Sequence, residues 1–195
     1  MRSKRFLVVA GIVTLFGIGG IGIVLIVLFQ HQPVEEIFLA GTHSPFIQLL
    51  TGFAYGIISS VVLLILLNRK MLDAARYFFA GVLKKYGAGY TGIILLSFCA
   101  GVGEELLFRG ALQYWAGVWL TSFVFIFLHG YLNPTDRPLF MYGTVLLIVS
   151  SGFGYLMKYS GLFAAMNAHF LVDVVLMIYL KRFYKDPADN EQILP

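Results

Sequence analysis

Long apolar runs separated by short polar joints dominate this chain, and the length of each run can be set against the roughly 20 residues that a helix needs to cross a hydrocarbon core. Six runs invite that comparison: Phe6 to Phe29, Phe46 to Leu67, roughly Tyr90 to Ala116, Val118 to His129, Leu139 to Met157 and Leu162 to Leu180. The fourth is short, so the pattern fixes its register least. Between the second and third, Asn68 to Gly87 sets Arg69, Lys70, Arg76, Lys84 and Lys85 among Leu72, Tyr77, Phe78, Phe79, Val82 and Leu83. A helix lying in the membrane interface, apolar side down, fits this stretch; a solvated basic loop is the plainer alternative. The predicted fold is all-α, a polytopic transmembrane helix bundle of about six membrane helices plus one interfacial amphipathic helix. No repeat, low-complexity tract or linker divides the sequence. One integral membrane domain is therefore expected over 1–195, with a loose polar tail at 186–195.

Composition agrees with the pattern. Hydrophobic residues make up 59% of the chain and charged residues only 12%, against about 25% charged in soluble domains. The net charge of +4 would suit nucleic acid, but the basic residues cluster at the ends of apolar runs, where they report topology. No nucleic-acid partner is expected. Arg2, Lys4, Arg5, the five cations of Asn68 to Gly87, Arg137, Lys181, Arg182 and Lys185 all fall on one side if both termini are cytoplasmic, while the other side receives Glu35, Glu36 and Lys158. The expected location is thus the plasma (inner) membrane, multi-pass, with N- and C-termini cytoplasmic and membrane lipids as partners. The first run exceeds the ~7 to 15 residues of a signal-peptide core and reads as a retained helix. Cys99, the single cysteine, reads as a small buried packing residue. Gly52 and Gly56, with Ser60 further along the same face, mark close helix packing on the second run.

Charge inside a membrane segment costs about 2.5 to 3.5 kcal/mol per group on the lenient scale, so each instance needs a reason. Glu104, Glu105 and Arg109 lie on the third run and Asp173 on the last. At i and i+4 on a helix, Arg109 can neutralise Glu105. Glu104, about 100° round the helix, is left over for general acid or base chemistry. His129 ends the fourth run, and His169 stands one helical turn before Asp173 on a shared face. These groups occupy three helices, and their convergence on one polar pocket is expected, with the parts to activate water and stabilise an oxyanion. Taken singly, each could instead be a buried packing device: an ion pair fixing register, a histidine bonded to a carbonyl, an aspartate in a polar network.

Glu104-Glu105-xxx-Arg109, Phe125-xxx-His129 and His169-xxx-Asp173, in that order on successive apolar runs, resemble the motifs of the CAAX-protease and bacteriocin-processing family (CPBP, Abi). The resemblance spans about 93–180 and leaves the first two helices outside. It implies a glutamate-type intramembrane endopeptidase, a class formerly placed among metalloproteases, acting on a protein or peptide substrate. Glu104 would activate the water, His129 would help to hold it, and His169 and Asp173 would bind the developing oxyanion or orient its donor. Glu105, Arg109 and Phe125 would support the site. The last motif departs from the family's prenyl-protein enzymes, which carry asparagine where this chain has Asp173; an ionised aspartate cannot donate to an oxyanion. No cofactor is preferred. Glu104, His129 and His169 are the residues that would hold Zn²⁺ under a metal scheme, although no His-Glu-xx-His helix is present. Two other functions share these residues: a non-catalytic immunity or chaperone-like binding protein of the same fold, and a small proton-coupled transporter, whose repeated halves the sequence lacks.

Overall fold

The computed structural model describes residues 2–31, 33–39 and 43–183, and among these it is helical with no strand. The Asp186 to Pro195 tail lies outside the described residues. The helices are α1 (Phe6–Gln30), α2 (Val34–Leu39), α3 (Pro45–Leu67), α4 (Asp73–Lys85), α5 (Tyr90–Glu105), α6 (Gln113–Leu128), α7 (Arg137–Tyr159) and α8 (Leu162–Phe183). Local signals start several of them. Pro45 opens α3, where its missing N–H costs nothing, and Asp136 caps α7 by accepting from Leu139 N at 3.0 Å.

Five helical stretches are long and apolar enough to cross a membrane, and one of them, Tyr90–Leu128, has 39 residues. At 1.5 Å per residue that is roughly 58 Å, about twice a hydrocarbon core. The chain does not run straight: Gly117 has φ 69° and ψ 176°, a left-handed φ open to glycine but strained for other residues. Beyond it the chain doubles back, bringing the Phe125 ring to 4.9 Å from that of Phe108. The third and fourth runs of the sequence are therefore two arms of one hairpin. Before the bend, a π-helical turn at Leu106–Leu112 joins α5 to α6. Gln30 at the end of α1 donates to the Gly110 and Ala111 carbonyls at 3.1 and 3.0 Å, satisfying oxygens within this widened turn.

Contacts at the two ends of the bundle fix the direction of each helix. Phe6 stacks on Tyr86 at 4.3 Å and Lys181 Nζ donates to the Ala88 carbonyl, so the start of α1, the α4–α5 loop and the end of α8 share one face. At the opposite face Thr51 and Ser160 pair through their hydroxyls at 2.9 Å, and Phe163 N donates to Gln48 Oε1 at 3.2 Å. The exposed Tyr114, Trp115, Trp119 and Tyr159 gather near the Gly117 bend, where an aromatic belt would meet the membrane interface.

The glycines of α3 act as the sequence suggests. A methyl group at Gly52 would collide with the Ala164 carbonyl, and one at Gly56 would sit 3.0 Å from the Ala168 carbonyl oxygen, so α3 and α8 touch backbone to backbone. Below them Leu63, Leu67, Leu72, Tyr142, Val172 and Leu180 form the main core. Helix α4 covers this core with Ala75, Phe79 and Leu83, but Phe78, read from sequence as part of the same apolar side, is 66% exposed because it lies about 100° round the helix from Phe79. Cys99 is half-buried against Gly11 rather than enclosed, since α1 covers α5 on one side only.

Overpacking the α3–α8 contact should be costly. Gly52→Val is expected to destabilise the purified protein by about 1–3 kcal/mol, read as a lower unfolding midpoint in detergent. Gly20→Ala, which meets nothing within 4 Å, should leave the midpoint unchanged or slightly raised. Equal midpoints for wild type and Gly52→Val would contradict the close approach.

Candidate active site

Arg109 is the most enclosed cation of the described bundle, its side chain 0% exposed beside a Glu105 side chain also 0% exposed. A guanidinium in such a place needs its charge answered and its donors largely paired; among the described residues Nη1 and Nη2 find partners, while Nε and Glu105 Oε2 do not. Nη1 donates to Glu105 Oε1 at 2.9 Å, and Nη2 donates to the Ser150 carbonyl at 3.0 Å and to Ser150 Oγ at 2.6 Å. The Phe125 and Phe153 rings lie 4.8 and 5.6 Å from the guanidinium carbon, adding cation–π attraction. The i, i+4 pairing expected from sequence thus forms, and α7 supplies partners that the sequence did not announce.

The same Glu105 oxygen reaches across to α8. His169 Nδ1 lies 2.7 Å from Glu105 Oε1, so Nδ1–H donates to the carboxylate and the ring is held in one orientation. Phe153 stacks on this imidazole at 5.4 Å and Phe125 meets it edge-on at 5.7 Å. Its other nitrogen, Nε2, is left facing Asp173 Oδ2 at 3.7 Å and Glu104 Oε2 at 3.8 Å. The carboxylate that tethers His169 is therefore Glu105, and Asp173 faces Nε2.

Glu104 has a different environment from its neighbour. Its side chain is 14% exposed, and Oε2 lies 3.8 Å from the Nε2 atoms of both His129 and His169, too far for direct hydrogen bonds and suited to a bridging water. His129 Nδ1 lies 2.7 Å from the Phe125 carbonyl, so it donates there and turns Nε2 towards Glu104. The His129 side chain is 38% exposed and forms the open side of the site. Both residues reach the same depth for a simple reason: Glu104 and His129 stand about a dozen residues either side of Gly117, or roughly 19 Å at 1.5 Å per residue.

A cavity of about 310 Å³ opens between these groups, lined by Glu104, His129, His169, Asp173, Phe125 and Tyr131 among others. Of the residues singled out in the sequence, Glu104, His129, His169, Asp173 and Phe125 line it, while Glu105 and Arg109 stand behind its wall. Sequence reasoning missed Ser150 and Phe153, which sit within an apolar run and carry no charge to mark them, and Tyr131, which follows His129 outside any motif. Among the described residues no group of three or more His, Cys, Asp or Glu side chains is arranged to hold a metal ion.

Residues 87–175 match the family model of type II CAAX prenyl endopeptidase Rce1-like proteins. The Rce1-like segment contains every charged and imidazole group of the site, and the resemblance read from the three motifs holds over it. An uncharacterized protein of Bacillus subtilis (strain 168), YpbD, is 34% identical over 90 residues, which cover 46% of this chain and 46% of that relative. The chain thus spans less than half the length of the curated relative it matches. No solved structure matches.

The two adjacent glutamates should separate by stability. Glu105→Gln leaves Arg109 buried without its counter-charge and is expected to cost about 3–5 kcal/mol, whereas Glu104→Gln removes a charge with no direct partner and should cost under about 1 kcal/mol. Unfolding midpoints of the two variants in the same detergent check this; equal losses would refute the division of roles.

Proposed function

We propose that the protein is an intramembrane endopeptidase of the CAAX-protease-like type, hydrolysing a peptide bond with water activated by Glu104. The observation that carries this reading is Glu104 Oε2 standing 3.8 Å from two imidazole Nε2 atoms on the wall of a cavity, a spacing that admits one water among three groups able to orient it. The match of residues 87–175 to an endopeptidase family supports the same reaction class.

In this mechanism Glu104 takes a proton from the bound water while His129 Nε2 accepts a hydrogen bond from it, and the hydroxide oxygen attacks the scissile carbonyl carbon. The carbonyl electron pair moves onto oxygen, which becomes an alkoxide. His169, held through Nδ1 by Glu105, offers Nε2–H to that alkoxide when protonated, and Asp173 beside it stabilises the imidazolium. Collapse expels the amine as the C–N bond breaks, and the proton on Glu104 passes to the leaving nitrogen. Arg109 holds Glu105 in place throughout.

The substrate is a membrane-embedded or membrane-delivered protein or peptide reaching the site from the His129 side. Prenylation features in the name of the matching family, and no group lining this cavity requires it. The setting we propose is the plasma membrane, both termini cytoplasmic, which places the cationic ends of α1, α4 and α8 on the cytoplasmic side.

The decisive test compares new peptide termini in membrane and secreted fractions from cells expressing wild-type protein or Glu104→Ala at equal level. Defined termini present with wild type and absent with Glu104→Ala are expected. Matching profiles, alongside a deletion that still has a phenotype, would replace catalysis by a binding role. We also expect cleavage by detergent-purified protein to continue in EDTA or 1,10-phenanthroline; loss of cleavage restored by Zn²⁺ would move the mechanism to a metal.

A further inference from the structure

The cavity is rich in acceptors. Glu104 and Asp173 only accept when ionised. His129 spends its Nδ1–H on the Phe125 carbonyl, and His169 spends its own on Glu105, so a neutral ring offers an acceptor at Nε2 and His169 offers a donor there only when protonated. A carbonyl oxygen that acquires charge during hydrolysis needs donors instead.

Tyr131 meets that need. It lies two residues beyond His129 in the connection between α6 and α7, its ring 6.3 Å from the His129 ring and inclined by only 9°. Tyr142 at 6.0 Å and Phe79 at 5.8 Å hold it from other sides. Among the described residues the Tyr131 hydroxyl has no hydrogen-bond partner. Tyr131 lines the 310 Å³ cavity together with Glu104 and Asp173, and it also lines a second, mostly apolar cavity of about 270 Å³ bounded by α1, α4 and α8. It therefore stands where the two cavities meet. Burial pushes its hydroxyl up to about 12, with the charges of Asp173 and Glu104 adding to the effect, so the phenol keeps its proton across the physiological range.

We infer that the Tyr131 hydroxyl is a catalytic hydrogen-bond donor that binds the scissile carbonyl oxygen and stabilises the alkoxide formed when water adds. The inference rests on the protease reading above and adds a residue to it. No proton leaves Tyr131: the water proton goes to Glu104 and then to the departing amine, while the phenol O–H shortens its hydrogen bond as negative charge builds on the oxygen. Beside the donor that a protonated His169 provides, the neutral phenol adds a second one in a carboxylate-lined cavity without neutralising Glu104.

The test uses Tyr131→Phe, which keeps the ring and removes the donor. Terminus profiles are compared for wild type, Glu104→Ala and Tyr131→Phe, and kinetics are then measured with a synthetic peptide spanning a cleavage site found in wild type. Tyr131→Phe should yield the same termini with kcat lowered about 10²-fold, KM changed little and the unfolding midpoint unaltered. Tyr131→3-fluorotyrosine, nearly isosteric but more acidic, should move the alkaline limb of the kcat profile to lower pH, which a ring serving only as packing would not do. Wild-type kcat in Tyr131→Phe, or a rise in KM alone, overturns the inference while leaving the protease reading intact. If Glu104→Ala leaves every terminus in place, the protease reading fails and the role of Tyr131 falls with it.

Discussion

The buried pair of Glu105 and Arg109 is the constraint around which the site is arranged. A guanidinium with no exposed surface must have a counter-ion, and its two terminal nitrogens find acceptors here, so three helices are pulled to one point: α5 carries Glu105, α7 brings the Ser150 carbonyl and hydroxyl, and α8 brings His169 to the same carboxylate oxygen. Phe125 and Phe153 close over the pair and exclude competing water. Ser150, Phe125, Phe153 and His169, gathered around the pair, are also walls of the cavity. The rigidity of the site is thus a by-product of making one charge tolerable at this depth.

Position along the membrane normal comes from a different device. The hairpin bent at Gly117 gives Glu104 and His129 nearly equal arms, so they meet without any specific long-range pairing between them. The short second arm then ends within the bundle, and the chain from Gly130 to Asp136 must travel beside the cavity before α7 begins. Irregular backbone at such a place is tolerated where it lines a cavity or is covered by protein. That requirement explains why Tyr131, in no helix, is packed among Tyr142, Phe79 and His129 rather than turned outward.

Much of this was legible in the sequence because membranes make polar residues conspicuous. Glu104, Glu105, Arg109, His169 and Asp173 stand out against apolar runs, and helical spacing alone pairs Glu105 with Arg109. The break between the third and fourth runs was visible too, since the 39 residues from Tyr90 to Leu128 are too many for one crossing. What the sequence could not supply was cross-helix partnership. His169 stands one turn from Asp173, which suggests that pair, yet its Nδ1 goes to Glu105 from another helix. Ser150 is an unremarkable hydroxyl in an apolar run until Arg109 arrives beside it. Phe78 and Phe79 are indistinguishable by composition, and only the angle at which α4 lies on α8 decides which one is covered.

The adjacency of Glu104 and Glu105 shows how one helix can serve stability and chemistry with identical side chains. Successive residues point about 100° apart, so one carboxylate enters the interhelical core while the other faces the cavity. The buried one is committed: its Oε1 already answers Arg109 and His169, and any exchange with water would leave a cation unpaired. The one facing the cavity has no such obligation, and its nearest polar atoms sit at water-bridging distance. A base that must gain and lose a proton in each cycle has to be a residue whose charge the fold does not depend on, and of the two glutamates only Glu104 meets that condition, which is why the mechanism we propose assigns it that role. The first helix reinforces the distinction, because a methyl group at Gly103 would collide with the Thr14 carbonyl; α1 presses against the turn that carries both glutamates and keeps Glu104 from rotating towards lipid.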